Sequence, residues 1–319
     1  MMEMGKTHPN ITTDKNTEEK YILKNASLHS DVTISHPEKI IWKQPTITKQ
    51  KLIEYLIQIS PFMLPFLENR LLTTIRFPHG VPGESFYQKN CPDYAPSFIH
   101  TACHDQINYI LCNDLSTLLW LGNQLAIEYH VPFQTVVSNK PLEIVFDLDP
   151  PSRDAFHLAI KAALNLKEIF DSFEITSYPK LSGNKGIQVH IPIKRNTLNY
   201  NDTRIFTLFV AQYLVEKFPE DFTIERMKKN RGGRLYLDYV QHSEGKTIIC
   251  PYSTRGTEYA TVATPLYWDE VNDKLNMKTF SIPFVLDRLT KVGCPFRDFF
   301  NQENPSISKI IATLKEQPG

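Results

Sequence analysis

The sequence of 319 residues predicts an α+β fold in which a split βαβ, ferredoxin-like unit follows a smaller N-terminal α/β lobe. Between residues 142 and 240 the hydrophobic patterns follow the order strand, helix, strand, strand, helix, strand. The first of these strands carries Asp147 and Asp149 and stops at Pro150 and Pro151, which cannot continue a β-ladder. The sheet of such a unit is antiparallel and its helices cover one face, so the opposite face is free to carry a site.

The composition is that of an ordinary globular protein, with 41% hydrophobic and 22% charged residues. The 35 lysines and arginines balance the 35 acidic residues, so a nucleic-acid partner would have to be held by local basic patches. The five cysteines are scattered without a C-x-x-C pair, which argues against a structural zinc site and for a reducing compartment. No apolar run approaches the length of a membrane span, and the N-terminus lacks a signal-peptide pattern. We therefore expect a cytoplasmic protein without membrane contact.

The N-terminal part of the chain predicts a tail and then the α/β lobe. Residues 1–30 are polar and without periodicity, which is typical of a disordered tail. The elements that we predict after it are a strand at 32–35, a helix at 51–57 with Thr48 as its N-cap, a helical turn at 61–64, strands at 71–77 and 108–112, and a helix at 115–130.

The second part of the chain predicts the split βαβ unit. Its predicted elements are a strand at 142–149, an amphipathic helix at 153–170, strands at 173–178 and 187–193, an amphipathic helix at 202–218 and a strand at 234–240. A strand at 247–252 is expected to pair with the preceding strand, and helices follow at 282–289 and 307–314. The expected organisation is thus a tail (1–30), one domain (31–300) with lobes at about 31–140 and 141–300, and a C-terminal helix and tail (301–319).

Three acidic residues are predicted to share the uncovered face of the sheet. Alternation along a strand places Asp147 and Asp149 on the same side. Asp238 interrupts the apolar strand, and burying a lone carboxylate costs several kcal/mol unless it is paired or binds a metal. An isolated D-x-D motif is more simply a strand end with two solvated acids. With Asp238 added, the pattern favours a two-metal centre of the kind that nucleotidyl transfer requires.

Two further features provide groups suited to polyphosphate. The turn 182–186 offers backbone N–H groups, a hydroxyl and the Lys185 ammonium, and it is not a Walker A loop because the spacing differs and no helix follows. A second set is cationic and surrounds Asp238 in the sequence: Lys228, Lys229, Arg231, Arg234, Lys246 and Arg255. These charges need no explanation as a solvated surface, but they also suit polyphosphate or DNA.

Taken together, these motifs resemble those of the archaeo-eukaryotic primase superfamily. The matching segments are Asp147-Leu148-Asp149-Pro150, Ser182-Gly183-Asn184-Lys185-Gly186 and Leu237-Asp238-Tyr239-Val240-Gln241. More closely, the chain resembles the polymerase domain of bacterial ligase D, with further matches at His36–Lys39, Glu128–Pro132, Lys246–Thr247 and Pro251–Arg255. The resemblance extends from about Ile34 to about Asp298. It implies a primase-polymerase fold with an RRM/ferredoxin-like catalytic unit.

The resemblance implies a template-dependent polymerase that fills gaps at broken DNA ends in non-homologous end joining, often with ribonucleotides and with Mn²⁺ or Mg²⁺. By motif position, Asp147, Asp149 and Asp238 would be the catalytic metal ligands. The residues implied at the incoming NTP or dNTP are His130, Ser182, Lys185, Gly186, Gln188, Gln241, Lys246 and Arg255. The residues implied at DNA are Lys39, Lys49, Arg76, Phe86, Tyr87, Lys89, Arg231 and Arg234, of which Lys39 and Lys49 would contact the 5′-phosphate of the downstream strand.

One residue departs from the family pattern, since Gln188 stands where a histidine is usual. Glutamine can donate to a phosphate but carries no charge, so lower nucleotide affinity or rate is expected. Because no ligase or nuclease region follows in the sequence, we expect an ATP-dependent DNA ligase in trans and a Ku-like end-binding protein as partners in the bacterial nucleoid.

Two alternatives remain open, a primase that starts strands de novo and a weakly catalytic DNA-end-binding module. The retained acidic triad favours catalysis over simple end binding, because three such carboxylates are hard to explain without metal. The matches at Lys39, Lys49 and the Phe86 loop favour end joining over de novo priming.

Overall fold

Two larger β-sheets form the frame of the protein in a computed structural model, which describes residues 20–23 and 28–316. The strands are β1 (Lys20–Leu23), β2 (Val32–Ser35), β3 (Ile40–Trp42), β4 (Ile47–Thr48), β5 (Thr73–Arg76), β6 (Phe86–Gln88), β7 (Thr101–His104), β8 (Ile107–Ile110), β9 (Ala126–Pro132), β10 (Glu143–Asp149), β11 (Tyr178–Leu181), β12 (Ile187–Pro192), β13 (Phe222–Thr223), β14 (Leu235–Asp238) and β15 (Thr247–Ile249). The α-helices are α1 (Lys49–Leu67), α2 (Leu115–Asn123), α3 (Phe156–Ser172), α4 (Tyr200–Lys217), α5 (Ile282–Val292) and α6 (Ser306–Glu316). Among these helices, none has the length and apolar character that crossing a bilayer requires.

The five-stranded sheet is the predicted split βαβ unit. Its strand order is β11-β12-β10-β14-β13, and the chain visits β10, α3, β11, β12, α4 and, after the short β13, β14. The pairs among β10, β11, β12 and β14 are antiparallel, while the short β13 adds a parallel edge to β14. The α+β fold class and the order of elements are therefore confirmed.

Alternation along β10 separates an apolar face from a polar one. Phe146 packs with Phe170 of α3 and Phe206 of α4, at ring-centroid distances of 5.5 and 6.2 Å. The neighbouring Asp147 therefore projects from the opposite face. The helices bury the apolar face, and this burial orients the polar face away from them.

The four-stranded sheet, of order β15-β9-β5-β6, takes three of its strands from the N-terminal half of the chain and packs with α2. α1 is a single helix over the two segments predicted separately, and its predicted N-cap is confirmed because the Thr48 side chain accepts from the Lys51 N–H. Pro61 lies inside α1 and cannot donate to the carbonyl of Ile57, but the Ser60 hydroxyl donates to it instead. The Ser60 hydrogen bond satisfies the carbonyl that Pro61 leaves without a backbone donor, which helps the helix to continue.

The helix predicted over 115–130 is wrong in its second half. α2 ends at Asn123, Leu125 has a positive φ of 59°, and residues 126–132 form β9. Leu125 and Ile127 continue the helical spacing of α2, although Glu128 and His130 alternate with apolar residues as in a strand. His130 therefore lies in a strand and not at a helix end.

Three other expectations are corrected. The strand predicted at 173–178 is instead β11, where Pro179 is tolerated because β11 is a sheet edge. β15 pairs with β9 of the N-terminal sheet and not with β14, so a strand of the proposed second lobe completes the first. Part of the predicted disordered tail is ordered, because β1 pairs with β2; residues 1–19 and 24–27 lie outside the described residues.

The strand at 32–35 and the helices at 202–218, 282–289 and 307–314 are confirmed within a few residues. α6 lies against α4, and the Lys315 ammonium contacts the Asp202 carboxylate at 2.6 Å. The C-terminal helix therefore packs onto the helical layer of the five-stranded sheet.

Candidate active site

The three predicted carboxylates lie on one face of the five-stranded sheet. Asp147 of β10 is the cross-strand neighbour of Asp238 of β14, and Asp149 is two residues further along β10. Side chains of direct cross-strand neighbours project to the same side, as do those of alternate residues. The sheet register thus brings together acids that are about 90 residues apart in the chain.

The electrostatics of this face fit a divalent cation. Burial and, after it, the charges of Asp238 and Asp149 raise the pKa of Asp147 to about 6, although a hydrogen bond from Gln188 opposes the shift. Burial likewise raises the pKa of Asp238, with Asp149 adding to the effect. A divalent cation would relieve this repulsion, and carboxylate oxygens are ligands that Mg²⁺ and Mn²⁺ prefer.

Asp149 is held by cations of the protein itself. Its Oδ1 lies 2.8 Å from the Lys185 ammonium, and its Oδ2 lies 3.7 Å from Arg231. Within residues 20–23 and 28–316, no three His, Cys, Asp or Glu side chains converge in the geometry of a metal site. Asp149 would therefore have to exchange these cationic partners for a metal ion.

A cleft of about 230 Å³ adjoins the acidic face. Its lining includes seven of the eight residues predicted at the nucleotide, together with Asp147 and Asp149: His130, Ser182, Lys185, Gly186, Gln188, Gln241 and Arg255. The eighth, Lys246, is exposed just before β15 and does not line the cleft. The structure thus brings most of the predicted nucleotide site together.

The turn 182–186 is tightly packed beside the end of β10. The Ser182 hydroxyl accepts from the Gly186 and Asn184 N–H groups at 3.0 and 3.3 Å. A Cβ at Gly186 would lie 2.3 Å from the carbonyl oxygen of Leu148, so only glycine allows this approach. This close packing places Lys185 beside Asp149.

Glu128 is a site residue that the sequence analysis missed. This buried carboxylate accepts from His130 Nε2 at 2.9 Å and from the Gly256 N–H at 2.9 Å, and it pairs with Arg255 at 3.2 Å. Burial opposes its ionisation, but His130 and Arg255 together lower its pKa. Glu128 therefore orients two of the predicted nucleotide-binding residues. Its position two residues before His130 would have been informative had the segment been predicted as a strand.

Lys180 is a second missed residue, fully buried in β11. Its ammonium donates to Gln188 Oε1 and, at 3.1 Å, to the carbonyl of Ile249. Gln188 in turn donates from Nε2 to Asp147 Oδ1 at 3.1 Å. Burial lowers the pKa of Lys180 to about 7, although Cys250 and Asp147 oppose this effect. Gln188 therefore bridges a buried cation and a candidate metal ligand.

Gln241 joins Asp238 to the adjoining strand. Its backbone N–H donates to Asp238 Oδ1 at 2.9 Å, and its side-chain Nε2 donates to the carbonyl of Thr247 at 2.7 Å. As placed, its side-chain amide braces the start of β15 at the rim of the cleft.

The two lysines predicted at a 5′-phosphate lie near each other but differ in exposure. Lys39 is half-buried and donates to the carbonyl of Pro78 at 2.6 Å. Lys49 is buried and donates to Asn123 Oδ1, the Asn123 carbonyl and Ser35 Oγ. Burial, with the charge of Lys39, lowers the pKa of Lys49 to about 8. Lys49 is thus a buried donor to protein groups as placed, and its contact with a 5′-phosphate stays a prediction.

The aromatic residues predicted at the template are exposed on the edge strand β6. Phe86 and Tyr87 are 46% and 71% exposed, and Lys89 is also exposed. The Arg76 guanidinium lies 5.3 Å from the Phe86 ring centroid and donates to the Gln124 carbonyl at 2.8 Å. The three exposed side chains are free to meet a partner, while Arg76 supports the strand beneath them.

Arg231 and Arg234 brace the loop before β14. The Arg231 guanidinium stacks on Tyr236 at 3.8 Å and donates to the Glu225 carbonyl at 3.0 Å. Arg234 donates to backbone carbonyls, including that of Arg231 at 2.8 Å. Arg231 also contacts Asp149, whereas the contacts of Arg234 are with backbone carbonyls, and a role of either arginine at DNA stays a prediction.

Comparison with known proteins shows the family of the chain. A family model described as "LigD, primase-polymerase domain" matches residues 48–296. The chain belongs to this family.

Relatives of the LigD primase-polymerase family support the same conclusion over most of the chain. The "Bifunctional non-homologous end joining protein LigD" of Bacillus subtilis (strain 168) is 54% identical over 291 residues, which cover 91% of this chain and 48% of that protein. The "Multifunctional non-homologous end joining protein LigD" of Mycolicibacterium smegmatis is 30% identical over 269 residues, covering 82% of this chain and 35% of the relative. The chain thus spans about half, or less, of the length of these relatives.

A solved structure described as the "Polymerase Domain from Mycobacterium tuberculosis Ligase D in complex with DNA" matches the fold. Its TM-score is 0.79 at 26% identity, with 85% of this chain and 99% of that chain covered. The predicted primase-polymerase fold is therefore confirmed, and membership of the family implies a nucleotidyltransferase.

Proposed function

We propose that the protein is a template-dependent polymerase that adds ribo- or deoxynucleotides at DNA ends and gaps during non-homologous end joining. The observation that carries this proposal is one cleft that is lined by Asp147 and Asp149, by the 182–186 turn, and by His130 and Arg255. Acidic and cationic groups that line one cleft suit a metal-bound triphosphate. The matched domain of Mycobacterium tuberculosis, described in complex with DNA, supports a nucleic-acid substrate.

The proposed mechanism assigns one task to the acidic groups and another to the cationic groups. Asp147, Asp149 and Asp238 would hold two divalent cations, Mn²⁺ or Mg²⁺, which supply Lewis-acid activation of the primer hydroxyl and neutralise the triphosphate. Lys185 and Arg255 would bind phosphate oxygens by charge-assisted hydrogen bonds. Lys185 pairs with Asp149 in the free protein and would turn to the nucleotide when that carboxylate binds metal.

The reaction leaves a nick, so the proposed pathway requires a DNA ligase and an end-binding protein of the Ku type acting on the same ends. We place this activity in the bacterial cytoplasm, at the nucleoid. The exposed Phe86 and Tyr87 on β6, with Lys89 just after the strand, supply a surface suited to stacking on template bases.

Primer extension tests the proposal. The substrates are a gapped duplex with a downstream 5′-phosphate, the same duplex with a 5′-hydroxyl, a simple primer-template and an unprimed template. Each is supplied with NTPs or dNTPs and with Mn²⁺ or Mg²⁺. Extension that is strongest on the phosphorylated gap is expected. Synthesis on the unprimed template would move the assignment to a de novo primase, and end binding without any extension would move it to an end-binding module.

A further inference from the structure

Three residues form a row across three adjacent strands on the acidic face. Lys180 of β11 is the cross-strand neighbour of Gln188 of β12, and Gln188 is the cross-strand neighbour of Asp147 of β10. Hydrogen bonds connect the row in the same order, from ammonium to amide to carboxylate. The row runs from the buried edge of the sheet to a candidate metal ligand.

The chemistry of the row gives the Gln188 amide one favourable orientation. An ammonium can only donate, so Lys180 requires the amide oxygen, and the carboxylate of Asp147 can only accept, so it requires the amide N–H. A rotation by 180° would set Nε2 against the ammonium and Oε1 against the carboxylate, which creates two repulsive contacts. The backbone carbonyl of Ile249, at 3.1 Å, holds Lys180 in place.

Burial strengthens the preference of the Gln188 amide for this one orientation. Lys180 is 0% exposed, so water is not available to replace its hydrogen bond to Gln188, which is itself only 3% exposed beside the cleft. The acceptors of Lys180 are both neutral, which makes its burial costly for stability alone. A costly buried cation directed at a candidate site indicates a role in that site.

We infer that Lys180 is a positioning residue that acts through Gln188 to hold the Asp147 carboxylate in the orientation that binds a divalent cation. This inference rests on the proposed function, because it assumes that Asp147 binds metal. It also assigns the uncharged Gln188 a defined task, since the amide connects the carboxylate to a cation one strand further away.

The test is a titration with Mn²⁺ alone, in which free Mn²⁺ is measured by electron paramagnetic resonance without nucleotide or DNA. The variants are Lys180→Met, Gln188→Met and the double variant. Loss of a partner that orients a metal ligand weakens metal binding by about 10–100-fold, and we expect this for each single variant. Because Lys180 acts through Gln188, the double variant should bind Mn²⁺ no more weakly than Gln188→Met. Gln188→His, which retains a donor for Asp147 and an acceptor for Lys180, should remain close to the wild type.

Control variants separate the possible failures. Arg288→Met removes a buried cation from α5, where it pairs with Glu270, and should leave Mn²⁺ binding unchanged. Thermal unfolding of every variant reports its folded fraction, and Gln188→Met carries the test by itself if Lys180→Met does not fold. Asp147→Asn tests the proposed metal site, and full Mn²⁺ affinity in this variant, or no binding by the wild type, overturns the proposed function and the inference together.

Two results would overturn the positioning role of Lys180 and leave the proposed metal site in place. In the first, Asp147→Asn loses Mn²⁺ while Lys180→Met, or Gln188→Met in its place, binds it as the wild type does. In the second, the losses of the two single variants multiply in the double variant, which would mean that Lys180 and Gln188 act independently.

Discussion

At the scale of single residues, the acidic face concentrates negative charge that the protein only partly compensates. Lys185 and Arg231 contact Asp149, while Gln188 alone donates a side-chain hydrogen bond to Asp147 among the described residues. The pKa values of Asp147 and Asp238 are raised mainly by burial, and the charges of the neighbouring carboxylates add to the shift. Charge left uncompensated in the free protein is what a metal centre needs.

Replacing any of the three carboxylates by the isosteric amide should abolish primer extension. Asp147→Asn, Asp149→Asn and Asp238→Asn each remove a proposed ligand while keeping the side-chain shape, so the fold and DNA binding should persist. Extension assays, together with circular dichroism and a DNA-binding titration, provide the measurement. Asp154→Asn, at an exposed aspartate shortly after β10, is the control. Near wild-type extension by one of the three variants would remove that residue from the mechanism.

Glu128→Gln should raise the KM for the nucleotide by about tenfold with a smaller effect on kcat. The reason is that charge-assisted hydrogen bonds contribute about 1.5–3 kcal/mol, and Glu128 makes such contacts with His130 and Arg255. Steady-state kinetics with varied NTP measures the effect. Glu258→Gln, at an exposed carboxylate 3.8 Å from Arg153, should leave KM unchanged. An unaltered KM for Glu128→Gln would show that His130 and Arg255 do not need this carboxylate.

At the scale of the elements, the loop that carries Lys39 meets the start of α1, which carries Lys49. The backbone connects them, since the Lys49 N–H donates to the Lys39 carbonyl at 2.8 Å. The charge of Lys39 contributes to the lowered pKa of Lys49, so the two ammonium groups repel each other. A phosphate dianion bound at this junction would relieve the repulsion.

Lys39→Ala should reduce the preference for a downstream 5′-phosphate, and Lys39→Ala combined with Lys49→Ala should erase it. Extension on a simple primer-template should be spared. Binding titrations on gapped duplexes with a 5′-phosphate or a 5′-hydroxyl measure the preference, which should shrink with salt. Because Lys49 is buried, Lys49→Ala should also lower the free energy of unfolding by about 1–3 kcal/mol.

Lys43→Ala, at an exposed lysine of the same segment, provides the matched control. It should change neither the preference for a 5′-phosphate nor the free energy of unfolding. Equal affinity of the wild type for the two gapped duplexes would contradict the end-joining assignment and favour the primase alternative.

At the scale of the whole molecule, a buried ion pair joins the two sheets. Arg70, which follows α1, donates to Glu143 of β10 at 2.9 Å and to the carbonyl of Pro132 in β9 at 3.0 Å. His190 of β12 also contacts Glu143, at 2.8 Å. Burial opposes the ionisation of Glu143, but Arg70 and His190 lower its pKa from 4.5 to about 2. The Arg70–Glu143 pair thus joins the four-stranded sheet to the five-stranded sheet that carries the three aspartates.

Glu143→Gln should lower the free energy of unfolding by about 3–5 kcal/mol at neutral pH, because Arg70 would lose its buried counter-charge. A depressed pKa stabilises the folded state above the unfolded pKa, and that stability is lost as the pH falls through the folded one. The difference between the wild type and the variant should therefore be constant above pH 4.5 and shrink between pH 4.5 and about 2.

Urea unfolding at a series of pH values, down to the lowest at which the wild type is folded, measures this difference. Glu303→Gln, at an exposed carboxylate 3.1 Å from Lys194, should have little effect at any pH. If the effect of Glu143→Gln does not change between pH 4.5 and about 2, the lowered pKa of Glu143 is contradicted.

The sequence by itself was sufficient to predict the β-α-β-β-α-β order, the shared face of Asp147 and Asp149, and the family. These features depend on local periodicity and on ordered motifs, which are written along the chain. The buried strand β9 was mistaken for a helix because Leu125 and Ile127 continue the helical spacing of α2, and this outweighed the alternation of Glu128 and His130 with apolar residues. Glu128 was missed as a consequence, since its relation to His130 is visible only in a strand.

The tertiary structure alone decided the partner of β15, the burial of Lys49 and the row from Lys180 to Asp147. Each depends on contacts between segments that are distant in the chain. A lysine has the same intrinsic preferences whether it reaches water or a buried carbonyl, so the sequence around Lys49 or Lys180 contains no local signal of its partner. Sheet register supplies that information, because it determines which side chains become neighbours across strands.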